Sequence, residues 1–131
     1  MKDTALISPE LPKKGVRLAS TCILVANKAD LSKLCTKAGL DKSFFLLSSR
    51  VFYGENRDFC AAGPFIGAPY AAIILENLAA WGCERFVFWG WCGSLSASLC
   101  TGDILIPENA LAEDGTSVHY LPAGQENAVP S

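Results

Sequence analysis

Apolar positions recur along this chain with two different periods, and their succession orders the predicted elements. Residues 21–26 (TCILVA) form a short β-branched apolar run of the kind a buried strand shows. Asp30 then opens a helical stretch as its cap, with Leu31, Leu34 and Cys35 on one face and Gly39 as the stop after Ala38. Residues 44–53 (FFLLSSRVFY) read as one strand or a hairpin pair ended by Gly54. A polar break over 55–58 leads into a further apolar run at 59–62. The stretch 63–69 (GPFIGAP) is a loop, and Pro69 suits the first turn of a helix because no needed N–H is lost there. That helix is predicted to reach about Trp81, with Ile74, Leu78 and Trp81 on one stripe and Gly82 as a left-handed stop. Residues 86–89 (FVFW) predict a strand buried on both faces, as in a parallel sheet. Strand, helix and strand over about 30 residues make a βαβ unit. Residues 104–106 predict one more strand, closed by Pro107, and the stretch from 121 to 131 has little to bury and is expected to fray.

The fold class is therefore α/β, and 131 residues fit a single domain. The expected organisation is an N-terminal segment over 1–20, the α/β domain over 21–122 and a flexible tail over 123–131. Composition sharpens this. Half the residues are apolar and 18% are charged, against a usual charged share of about 25%, which excludes a disordered or solvating segment. A mean hydropathy of +0.27 points to apolar surface that meets another subunit. The net charge of -2 gives no electrostatic footprint for nucleic acid, and the basic pair Lys13-Lys14 reads as a solvated turn. Residues 1–15 carry no apolar core of signal-peptide length, and the most apolar stretch is broken by Gly63, Pro64, Gly67, Pro69 and Glu76. A cytoplasmic protein with no membrane partner is expected. The six cysteines show no CxxC spacing and there is one histidine, so no metal site is expected and the thiols read as reduced small hydrophobes.

Ligands of open α/β sheets bind beyond the carboxyl ends of strands, here the turn Gly90-Trp91-Cys92-Gly93-Ser94-Leu95. Glycines three apart let backbone N–H groups approach an anion or a sugar hydroxyl, although such a turn is also an ordinary tight strand exit. Neither a GxGxxG fingerprint nor a GK[ST] loop occurs.

Three linked motifs go further: G-x-x-x-GAP at 63–69, G-x-CG-x-L at 90–95, and GD-x-x-x-P with EDGTS between 102 and 117. Together they resemble the nucleoside phosphorylase and uridine phosphorylase superfamily, in its N-terminal half only, as a truncated or short form would. The likeness is strong over 63–122 and thin over 21–53. It implies a mixed central sheet flanked by helices, a homo-oligomer, and cleavage of the N-glycosidic bond of a purine or pyrimidine nucleoside by phosphate or by water. It implies no cofactor, with phosphate as a candidate co-substrate and a nucleoside-type small molecule as the ligand. By the same resemblance Trp91, Cys92 and Gly93 contact ribose and base. Arg50 holds phosphate, reaching across a subunit interface, and its guanidinium fork suits two phosphate oxygens. His119 matches a family histidine or aromatic near EDGTS.

The chain also departs from the phosphorylase pattern. An acid, Asp30, stands where an arginine follows the first phosphate turn, Phe88 replaces a second phosphate arginine, and Trp91 replaces the threonine or serine that assists it. In the nucleosidase branch the first turn ends in a carboxylate that positions and deprotonates the attacking water, and Asp30 falls at that place. The same side chain serves equally as the cap of its helix. The acid that protonates the leaving base and the glutamate that grips the ribose belong to the relatives' second half, and nothing after Tyr120 supplies them. A catalytically inactive nucleoside-binding or oligomerisation module and a phosphate-independent nucleosidase are the alternatives. A redox or acyl-transfer enzyme built on Cys92 is a further reading, with the one histidine far away in sequence.

Overall fold

The computed structural model describes Pro9, residues 15–55 and residues 57–129; Lys13-Lys14 and most of the 1–20 segment lie outside the described residues. The chain divides into two compact units, Met1–Gly90 and Trp91–Ser131.

The first unit runs β1 (Thr21–Val25), α1 (Lys28–Ala38), β2 (Lys42–Leu46), β3 (Ser49–Tyr53), β4 (Phe59–Gly63), α2 (Ala68–Ala80) and β5 (Arg85–Trp89). Its strands form one mixed sheet in the order β2-β3-β4-β1-β5. β1 lies parallel to β4 and to β5, whereas β3 is antiparallel to both β2 and β4. The 44–53 run is thus a hairpin, turning at Leu47 with φ 54. Residues 59–62 and 86–89 are the two strands of the expected βαβ unit.

Strand alternation sends successive side chains to opposite faces, and each helix covers one of them. Cys22, Leu24, Leu46, Val51, Cys60 and Ala62 pack with Ile74 and Leu78 of α2. Val25 and Ala61, with Ile23, Phe52 and Phe59 beside them, pack with Leu31 and Cys35 of α1. Pro69 falls in the first turn of α2, and Trp81 closes it, followed by Gly82 at φ 98. Gly39 ends α1 in the left-handed region at φ 65, donating its N–H to the Cys35 and Thr36 carbonyls.

Two expectations change in this unit. The cap of α1 is Asn27, whose Oδ1 accepts the Asp30 N–H at 2.9 Å; Asp30 is the third residue of the helix. Asn27 sits in extended backbone at φ -115, ψ 151, where a short amide side chain reaches the third N–H. β5 is not buried on both faces: it is the sheet edge, and Val87, Phe88 and Trp89 are half exposed. An apolar strand marks a sheet but does not tell a central position from an edge.

In the second unit residues 104–106 form no strand and Ile104 and Ile106 are exposed, because a β-branched run becomes a strand only with a ladder beside it. The ladder of this unit joins β6 (Ala110–Leu111) to β7 (Asn127–Ala128), antiparallel, extended by an Ala112 N–H to Glu126 carbonyl bond of 2.8 Å. Part of the stretch expected to fray is therefore paired. Among the described residues no helix is long and apolar enough to cross a membrane.

Candidate functional site

The face of the sheet covered by α1 carries a cavity of about 650 Å³ between that helix and the β2–β3 hairpin. Its position follows from register. Phe45 and Arg50 are cross-strand partners, and with Phe52 they point to the α1 side because Leu46 and Val51 point to the α2 side. From α1 come Lys28, Ser32 and Thr36 at helical spacing, with Leu31 and Cys35 at the cavity's apolar floor. Gly63 and Pro64 close one end, joined by a cis peptide bond. Among its described lining residues are two cations, Lys28 and Arg50, three hydroxyls, Ser32, Thr36 and Ser48, and no carboxylate. That chemistry favours an anion attached to a body with apolar surface.

Arg50 is exposed, and its guanidinium carbon lies 4.4 Å from the centroid of the Phe45 ring. Stacking on the ring, with an Nη1–H donated to the Ser43 hydroxyl at 3.5 Å, limits the rotamers of the long side chain, and its remaining N–H groups can meet an anion. A second set of contacts fixes the turn before it. The Tyr70 hydroxyl, on the first turn of α2, accepts the Ser48 N–H at 2.9 Å and lies 3.0 Å from the Ser49 hydroxyl. The fully buried Ser49 hydroxyl donates to the Pro64 carbonyl at 2.5 Å. The hairpin tip, the 63–64 loop and α2 are thereby tied together beside Arg50. Tyr70→Phe removes one acceptor from this network and is expected to cost about 1 kcal/mol in urea unfolding; an unchanged midpoint would show that the Ser48 N–H is satisfied without it.

Asp30 is not one of the cavity's lining residues. Its carboxylate accepts from Asn27 Nδ2 at 2.7 Å, so Asn27 and Asp30 bind each other reciprocally at the helix start. A carboxylate there is also favoured by the helix dipole.

The remaining candidates belong to the second unit. Trp91, Cys92 and Gly93 are exposed and lie in irregular backbone, with Trp91 84% exposed. A Cβ on Gly93 would meet nothing within 4 Å, so packing does not demand glycine there, whereas one on Gly90 in the first unit would touch Ala26 Cβ at 3.4 Å. The EDGTS motif folds around Asp114. Its Oδ1 accepts the N–H groups of Thr116 and Ser117 at 2.7 and 2.9 Å, and its Oδ2 accepts the Ser117 hydroxyl at 2.5 Å. These bonds, the Ser117 hydroxyl first, hold the Asp114 carboxyl down at about 2. They start the 3-10 turn Ser117–His119, whose last residue, His119, is exposed.

The structure thus brings Arg50 and Lys28 to one cavity and engages Asp30 in helix capping. Phe45, Ser48, Tyr70, Ser32 and Thr36 were not singled out by sequence. The Phe45–Arg50 pair follows from strand alternation once the hairpin turn is placed at 47–48; the Tyr70 contact bridges 21 residues and left no local signal.

A mixed α/β sheet with an anion-suited cavity beside Arg50 is the frame these residues build. The phosphorylase superfamily model matches residues 21–130, and the chain belongs to that superfamily. Over 67 residues it is 40% identical to the guanosine phosphorylase of Halorubrum lacusprofundi, a match covering 51% of this chain and 27% of that protein. Over 119 residues it is 30% identical to the uridine phosphorylase of Haemophilus influenzae and 29% identical to that of Escherichia coli. Each of these two matches covers 86% of this chain and 46% of the relative. The chain spans about half the length, or less, of these curated relatives.

Proposed function

We propose that this chain is a nucleoside-phosphorylase-type domain that binds a nucleoside and an anionic co-substrate, inorganic phosphate, and that takes part in cleavage of the N-glycosidic bond. The observation that carries the reading is the cavity in which Arg50, Lys28 and three hydroxyls converge without a carboxylate, in a chain of the phosphorylase superfamily. Arg50 supplies the forked donor for two phosphate oxygens and Lys28 a second positive charge. Trp91, Cys92 and Gly93 serve ribose and base through backbone groups and the exposed indole face, and His119 is a further substrate contact. Homo-oligomerisation covers the half-exposed apolar edge at Val87, Phe88 and Trp89. A cytoplasmic location and a pentosyltransferase activity accompany this reading, and no cofactor is required.

Water as the acceptor is the second reading, carried by the carboxylate of Asp30 at the start of α1. Its reciprocal bonding to Asn27 leaves less freedom to take a proton, which favours phosphate. The two readings separate in one assay, release of free base from uridine or guanosine with and without inorganic phosphate. Release that requires phosphate supports phosphorolysis. Equal release in its absence replaces it by hydrolysis, and no release with either nucleoside reduces the chain to a binding or assembly module.

A further inference from the structure

Three thiols distant in sequence meet in the core on the α2 side of the sheet. Cys22 and Cys60 are register partners on β1 and β4, and Cys83, between α2 and β5, reaches the same place. The Cys60 and Cys83 sulfurs are 3.9 Å apart. Cys60 Sγ donates to the Thr21 carbonyl at 3.6 Å and Cys83 Sγ to the Ala19 carbonyl at 3.4 Å, so both side chains are held facing each other. Among the described residues no group of three or more His, Cys, Asp or Glu is arranged to hold a metal ion. Cys35, the fourth buried cysteine, belongs to the opposite face.

We propose that Cys60 and Cys83 form a two-electron oxidation site whose co-substrate is a small hydroperoxide. Cys83 is the attacking sulfur. It alone of the three has any exposure, 3% against 0%, and it directly follows the α2 stop at Gly82. Cys22 stays protonated, its thiol pushed up by hydrogen bonding with Cys60, then with Cys83, and by burial.

The Cys83 thiolate attacks one peroxide oxygen, the O–O bond breaks, and the departing hydroxide takes up the proton that Cys83 released, leaving as water. Cys83 is then a sulfenic acid. Cys60 Sγ attacks that sulfur, the S–O bond breaks, and the second hydroxide leaves with the Cys60 proton as water. Two thiols are oxidised to one disulfide and one hydrogen peroxide is reduced to two waters. The product ties β4 to the start of β5 across β1 and releases the carbonyls of Ala19 and Thr21.

The test uses the full chain with Cys92→Ser and Cys100→Ser, since both residues are exposed and would consume oxidant. The folded protein is treated with hydrogen peroxide, then unfolded, alkylated and mapped by mass spectrometry. Loss of two of the four remaining thiols is expected, with a peptide joining Cys60 to Cys83 within one chain, Cys22 and Cys35 alkylated, and full recovery with dithiothreitol. Adding Cys83→Ser is expected to abolish the link. Four alkylatable thiols after treatment would overturn the proposal, as would a link through Cys22 or oxidation of Cys35 at the same rate. The map of the chain that retains Cys83 decides the matter even if the Cys83→Ser protein fails to fold.

Discussion

Gly63→Ala is expected to lower stability by about 3 kcal/mol or more, the upper range for overpacking against rigid neighbours. A Cβ at this position would stand 2.1 Å from the Val25 carbonyl oxygen, and the glycine holds φ +151, where side chains are strained whatever the space. The obstacle is backbone. Val25 ends β1, the strand paired on both sides by β4 and β5, so its carbonyl cannot withdraw without disturbing the sheet centre. Leu31 of α1 lies 3.6 Å from the same point, and Gly63 also lines the cavity, so the damage reaches the candidate site. Urea unfolding followed by circular dichroism reads the loss directly. A midpoint within about 1 kcal/mol of wild type would mean that β1 and β4 do not approach this closely.

Arg50→Ala is expected to weaken binding of inorganic phosphate by about tenfold to a hundredfold, the range for losing charge-assisted hydrogen bonds. Arg50 is exposed, so part of its interaction is screened and the lower half of that range applies. The fold should tolerate the change, because the side chain contributes stacking on Phe45 rather than core packing. The rise in Tm that phosphate gives to the wild-type chain should shrink or vanish in the variant, while the Tm without phosphate stays close to wild type. An unchanged phosphate response would remove Arg50 from the site and leave Lys28 as the remaining cation among the cavity's described lining residues.

Elements that carry a local signal were legible in the sequence. The β-branched run at β1, the glycine stop at Gly39, Pro69 in the first turn of α2, and the apolar 59–62 and 86–89 strands all follow from periodicity and backbone chemistry. Asp30 was misplaced by three residues because an aspartate and an asparagine both cap, and the backbone turn that decides between them is not a side-chain pattern. Residues 104–106 have the composition of a strand, yet a strand also needs a partner, which composition does not contain. The edge position of β5 is a fact of strand order for the same reason. At the site, Arg50 was reached through family resemblance. Its stacking on Phe45, the Tyr70–Ser49–Pro64 network and the meeting of Cys22, Cys60 and Cys83 depend on register and packing between segments far apart in the chain.

The central claim, a phosphate site at the cavity between α1 and the β2–β3 hairpin, is tested most directly by calorimetric titration of the wild-type chain with inorganic phosphate. A saturable isotherm, competed by sulfate, is the predicted result. Heats no larger than dilution across the titration would contradict the claim.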